Sequence, residues 1–246
     1  MDKFFAPIFA VLSAGPLRYV LIGISLITIL LTVVTMLGEI TGNRFSFKAR
    51  KFLKTDLKWD ATNIAIAAIC AAVYTGGRFL QTPQIVPGFG GLTFSHVLAP
   101  IMALLFGIPG AVGVAISVPF GDYLFGYFGI GSIGGFSGHW MALCYIPFLL
   151  INDPSMRNKA SIIKIYLVAI LLASFWHSIT INGFLDLLRL APTEVCWGVI
   201  APGVIVAHGV IPAILMPILM LPLYPAVKAM GLYWKDRKVK FIQADK

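Results

Sequence analysis

Charge is scarce in this chain. Only 12% of its 246 residues are Asp, Glu, Lys or Arg, about half the roughly 25% usual in soluble domains. The run Tyr19 to Gly38 holds no charged residue at all, which excludes an ordinary water-exposed element there. Cysteine is scarce too: Cys70, Cys144 and Cys196 lie far apart with no Cys-x-x-Cys pair. Cys70 and Cys144 fall inside apolar stretches, so small packing roles are expected for them rather than a disulfide or a thiolate metal site. No Gly-x-x-x-x-Gly-Lys-Ser/Thr loop occurs. The chain therefore lacks the usual phosphate cradle, and any ATP consumed must be hydrolysed by another polypeptide. Neither His-x-x-x-His nor Glu-x-x-His is present, and no connecting segment exceeds about 25 residues, which leaves little room for a separate soluble catalytic domain.

Apolar length is abundant. The hydrophobic fraction is 59% and the mean hydropathy +0.89. About 20 apolar residues at 1.5 Å rise cross the roughly 30 Å hydrocarbon layer of a bilayer, and hydrocarbon leaves backbone amides no partner except within a helix. The pattern predicts an all-α, polytopic membrane helical bundle with spans near 18–38, 61–80, 94–107, 109–128, 139–151, 162–181 and 199–225. Residues 1–16, with Lys3 and a short apolar stretch, read as an interfacial leader.

The net charge of +9 does not point to nucleic acid. Fifteen of the 19 lysines and arginines gather in three short segments: Arg44 to Lys58, Arg157 to Lys164, and Lys228 to Lys246. Such clusters flank cytoplasmic helix ends, with attraction to anionic membrane lipid as a secondary effect. Placing all three inside gives a consistent alternation of the seven spans. The amino terminus is then outside, the carboxyl terminus cytoplasmic, and the protein a multi-pass component of the cell membrane. The segment Phe45 to Trp59 mixes basic and apolar residues and is expected to lie as an amphipathic helix on the inner surface. Trp59 and Trp234 are placed at the inner interface, and Trp140, Trp176 and Trp197 near the outer one, as anchors.

With topology set, depth becomes readable. Arg78, His96, Asp122, Tyr123, His139, Trp140, His177 and Asn182 all fall in the outer half of their spans, with His208 some way down the seventh. The inner halves are almost purely aliphatic. Polar groups in a membrane are costly and mark function, and a conduction path would need them along its whole length. The arrangement instead describes a cup open outside and sealed beneath. Individually, Arg78 either snorkels to headgroups or pairs with Asp122, and each histidine near a helix end has an ordinary packing reading. The joint asymmetry is the signal. Two uncharged outer loops, Gln81 to Gly91 and Gly129 to Gly138, read either as lids tipped by Phe89 and Phe136 or as plain connectors. Residues 183–198, with Asp186, Arg189 and Glu194, form a third outer segment.

One helix carries a smooth face. Ala61, Ala65, Ala68 and Ala72 make a stripe of small side chains, overlapped by the pairs Ala67/Ala71 and Ala68/Ala72. Small residues let helices approach closely in lipid, either inside the bundle or against another subunit.

These features, with Tyr74-Thr-Gly-Gly-Arg-Phe-Leu80, Leu104-Leu-Phe-Gly-Ile-Pro-Gly-Ala-Val-Gly113 and Gly121-Asp-Tyr-Leu-Phe125, resemble the substrate-binding S component of an energy-coupling factor (ECF) vitamin transporter over about residues 58–235. The resemblance implies a six-helix core that captures a vitamin or vitamin precursor at the outer face. It implies docking through Ala67, Ala68, Ala71 and Ala72 onto a transmembrane T subunit, which couples to cytoplasmic ATPase subunits. No catalysis and no cofactor on this chain are implied. The chain then divides into 1–60 (leader, additional transmembrane helix, basic segment), 61–228 (six-helix substrate-binding membrane domain) and 229–246 (basic cytoplasmic tail). Span 18–38 departs from the six-helix pattern and has no assigned role. An amino-terminal Met-His pair of the kind expected in the cobalt and nickel members is missing, which argues against a metal-ion substrate. Two other readings stand beside this one. In one, His96, His139, His177 and His208 hold a haem or metal, although the predicted spans give them no shared layer. In the other, the chain is an accessory subunit of a larger membrane complex.

Overall fold

The computed structural model describes residues 15–46, 49–80, 94–126 and 128–237. The leader, the loop Gln81 to Gly91 with Phe89, and the last nine residues lie outside them. The described chain is mostly helical. Helix α1 is Gly15–Ile40 and is followed by the short strands β1, Asn43–Ser46, and β2, Lys51–Lys54. Then come α2, Ala61–Arg78, α3, Ser95–Phe106, and α4, Ile108–Leu124. The last three helices are α5, Ser132–Leu150, α6, Lys159–Leu187, and α7, Thr193–Ala229. Four of them, α1, α5, α6 and α7, are long and apolar enough to cross a membrane, whereas α3 and α4 are shorter apolar helices.

Local chemistry sets the ends. Asp60 caps α2 by accepting from the Asn63 amide at 2.8 Å, and Asn158 caps α6 by accepting from the Ser161 amide at 2.7 Å; each cap satisfies an amide the helix cannot. Between α3 and α4 the chain reverses at Gly107, whose φ of +72° strains any residue with a Cβ. Helices α5, α6 and α7 each contain π-helical turns, at His139–Tyr145, Ile165–Leu172, and both Cys196–Ile200 and Val206–Val210.

The segment expected as a surface helix is instead a β-hairpin. Strand β1 pairs antiparallel with β2, in the register Arg44↔Leu53 and Phe45↔Phe52. Period-two alternation turns Arg44 inward, at 2% exposure, while Phe45 meets Phe52 edge-on across the ladder with ring centroids 5.4 Å apart. Arg44 then forms a buried two-pronged ion pair with Glu39. The pull of that carboxylate and the cross-strand aromatic pair favour strands over a helix here.

Helix α1 packs along α6 and also touches α5. Ser25, Thr28, Thr32, Thr35 and Glu39 recur every three or four residues on its buried face. Ser25 donates to the Thr180 carbonyl at 2.6 Å, and Thr32 to the Ser137 carbonyl at 3.3 Å. Trp140 and Trp176 donate their indole N–H groups to Thr35 and Thr28, at 2.9 and 2.8 Å. Trp197 donates to Asp186 at 2.9 Å, and Asp186 pairs with Arg18 of α1. The three tryptophans expected as outer anchors therefore bolt α1 onto the bundle. Asp186 is 2% exposed, a structural group and not part of an open outer segment.

At one end of the bundle the basic segments come together. Past α7 the chain folds back. Trp234 donates from its backbone to Leu105 O and from its indole to Leu104 O, both at 3.1 Å. Arg237 donates to Phe106 O at 2.8 Å and to the Asn63 side chain, while burial holds its guanidinium pKa below the ordinary value. Lys235 reaches the Asn152 carbonyl.

Candidate functional site

The opposite end holds a cavity of about 480 Å³ whose wall includes Tyr74, Arg78, His96, Asp122, His139, His177 and His208. Its rim is an ion pair. Arg78, from the last turn of α2, donates to Asp122 of α4 at 2.6 Å and to the Val118 carbonyl at 3.0 Å. The guanidinium lies against Gly121, where a Cβ would strike it. Both side chains are largely shielded, at 13% and 15% exposure, so each charge is matched at short range.

The floor is histidine. Four rings from four helices meet: His96 opens α3, His139 lies two turns into α5, His177 is inside α6 and His208 inside α7. His96 and His208 stack with centroids 3.7 Å apart. His177 lies 4.4 Å from His139 and 4.3 Å from His208. His177 is fully buried, and His139 and His208 are 5% and 4% exposed. The expectation that these residues share no layer is overturned. Span boundaries set the counting, and α5 begins at Ser132 instead of at 139. His139 consequently sits about 10 Å inside its helix by helical rise. The early start also disposes of the Gly129 to Gly138 lid. Ser132 to Gly138 is helical, with Phe136 packed against the core, and the cavity is bordered both by Gly129 to Gly131 before it and by Ser132 and Gly135 within it.

Glycine makes the convergence possible. A Cβ on Gly138 would collide with the His177 ring, so a larger residue one position before His139 would push α5 and α6 apart. Backbone carbonyls orient two of the rings. His139 Nδ1 lies 2.8 Å from Gly135 O, and His208 Nδ1 lies 3.0 Å from Val204 O. A carbonyl only accepts, so in the neutral ring the proton is on Nδ1 and the Nε2 lone pair faces away. The Tyr74 hydroxyl donates to His139 Nε2 at 2.5 Å. Among the described residues, His208 Nε2, His96 Nδ1 and both nitrogens of His177 have no hydrogen-bond partner.

Of the eight residues singled out in the sequence, five therefore line this one cavity: Arg78, His96, Asp122, His139 and His177. Three stand apart. Tyr123 is 69% exposed on the outside of the bundle, and Trp140 is fully buried against Thr35 and stacked on Tyr145. Asn182 is buried and donates to the Ser178 carbonyl at 2.8 Å. Helix periodicity accounts for Tyr123, because its neighbour Asp122 takes the inward position and the next residue projects about 100° away. Tyr74 is a wall residue outside those eight, as His208 is; it opens the quoted motif before Arg78 and is 1% exposed.

The small-residue stripe divides. Ala61, Ala65, Ala68 and Ala72 are exposed along α2, while Ala67 and Ala71 are half-buried. Gly113 of α4 takes the close contact, since a Cβ there would strike the Ala67 carbonyl and Cys70. The chain matches no protein-family model, no curated protein and no solved structure.

Proposed function

We propose that this chain is the membrane-embedded solute-binding subunit of an importer of the ECF type, catching a small molecule in the cavity between Arg78 and the histidine floor. The observation that carries the reading is the convergence of charged and imidazole side chains, widely separated in sequence, on one 480 Å³ hollow. A concave, largely apolar hollow with a few converging polar groups is the usual form of a small-ligand site. Orientation follows from charge. Lys58, Arg237 and the hairpin arginine Arg44 border a pocket at the end away from the histidines, and the positive-inside rule puts that end in the cytoplasm. The hollow then opens to the outside. In this reading six helices form the receptor, α1 closes its flank, and no bond-making chemistry belongs to this chain.

The exposed stripe Ala61, Ala65, Ala68 and Ala72 supports a partner face, since lipid gives helices little reason to associate except close packing. The proposed partners are a transmembrane T subunit and two ATPases. The test is isolation of the tagged full-length chain from its own membranes in mild detergent, with mass spectrometry of the companions. A Walker-type ATPase pair and a common membrane subunit should accompany wild type and be lost from Ala68→Trp, with the monomer's melting temperature unchanged. Isolation of the wild type with no ATPase, or an ATPase that stays bound to Ala68→Trp, would overturn the assignment.

A further inference from the structure

We infer that His96, His139 and His208 bind a divalent first-row transition-metal ion at the floor of the cavity, with His177 beside them as a fourth donor. This deepens the receptor reading by naming its cargo, in place of the expectation, drawn from the missing amino-terminal Met-His pair, that the substrate is not a metal ion, and it rests on the receptor reading only for the direction of transport.

The geometry carries it. One ligand nitrogen from each of His96, His139 and His208 lies within 4.8 Å of the other two. At metal–nitrogen bonds of about 2.0–2.1 Å, two nitrogens on a tetrahedral ion are roughly 3.4 Å apart. The nitrogens therefore have to draw together by up to about 1.4 Å to take the ion. Two of the three rings already meet the second requirement of a metal ligand, a supporting acceptor on the other nitrogen: Gly135 O for His139 and Val204 O for His208. Their Nε2 lone pairs are thereby left for a ligand. His208 Nε2 has no partner among the described residues, and His139 Nε2 exchanges the Tyr74 proton for the ion.

Buried polar atoms are hydrogen-bonded in the great majority of cases, and each one left over needs an explanation. Here His96 Nδ1, His177 Nδ1, His177 Nε2 and His208 Nε2 are left over together. A purely structural core would use leucine in these places, because an unsatisfied buried nitrogen costs stability and returns none.

The donor set selects the ion. Imidazole nitrogens suit zinc, nickel, cobalt and copper, whereas calcium and magnesium call for carboxylate and carbonyl oxygen. The cavity's carboxylate, Asp122, is occupied by Arg78, which disfavours the hard ions further. A haem is disfavoured by the stack. His96 and His208 lie face to face at 3.7 Å, leaving no gap for a macrocycle between them.

The test is titration of the purified full-length protein in nanodiscs with Co²⁺, whose visible ligand-field absorption reports coordination by nitrogen. One Co²⁺ per chain is expected, displaced by Zn²⁺ and not by Mg²⁺. His96→Ala and His208→Ala should each weaken it by at least about a hundredfold, the upper range for loss of a group that only supports a ligand. Wild-type protein that takes up no Co²⁺ or Zn²⁺ at micromolar concentration would overturn the inference, with no dependence on how a variant folds. So would Co²⁺ binding that survives both substitutions. Co-isolation of the ATPase pair is read separately. Failure of metal binding with the ATPases present removes the cargo and leaves the receptor, and the converse outcome removes the receptor and leaves the site.

Discussion

Two buried polar seams run through this bundle, and they are built to opposite rules. Along α1, Ser25, Thr28, Thr32, Thr35 and Glu39 are buried, and each has a partner: a carbonyl, an indole, a phenol or a guanidinium. At the cavity floor His96, His177 and His208 keep nitrogens with no partner among the described residues, the first half-buried and the other two buried. Both seams cost desolvation. Satisfaction returns that cost as specific packing in the first, whereas the second keeps its lone pairs for something that arrives later. Burial of polar groups alone does not separate structure from function; the state of their hydrogen bonds does.

Substitutions can break this contrast, and the largest effect is expected at the seam. Glu39→Ala removes the carboxylate that neutralises the buried Arg44 guanidinium and the acceptor of Tyr145, so stability should fall by about 3–5 kcal/mol. A thermal unfolding series in detergent would read this as a loss of tens of degrees or as failure to purify. Gly138→Ala comes next. Its new methyl drives into His177, and overpacking of this kind costs about 1–3 kcal/mol. Because the collision is with the floor, Co²⁺ affinity should fall as well, making this the one substitution that registers on both seams. Trp140→Phe removes the indole donor to Thr35 and should cost about 1 kcal/mol with metal binding unchanged. A drop in Co²⁺ affinity there would join the two seams into one system.

The smallest effect on stability sharpens the contrast most. His177→Leu exchanges two unpartnered buried nitrogens for apolar volume and should leave the melting temperature equal to or above that of wild type. A clear fall would mean that His177 is already satisfied in the folded protein, and the floor would then belong with the structural seam.

Much of this was legible in the sequence. Uncharged length announced membrane helices, and Asp60, Gly107 and Asn158 stand where the helices start and turn. The pairing of Arg78 with Asp122 was one of two readings available from depth. The α1 seam was equally available, since its three-and-four spacing of Ser, Thr and Glu is plain in the run from Ser25 to Glu39. That spacing is what lays α1 against α6 and α5. The hairpin was not legible, because Arg44 turns inward to a glutamate that a basic surface helix would have ignored. The three indoles near one end looked like interfacial anchors, and their donors reach hydroxyls and a carboxylate that only packing brings near.

The amino acids by themselves determined the class: little charge, enough apolar length for a bilayer, and basic residues that collect at one end of the bundle. Helical periodicity says which residues share a face of one helix. It does not say how far a helix slides along its neighbour or how it is rotated against it. Those two quantities decided that His96, His139, His177 and His208 meet while Tyr123 faces outward. They are set by close contacts such as Gly138 on His177 and Gly113 on Ala67, which exist only once the helices are assembled.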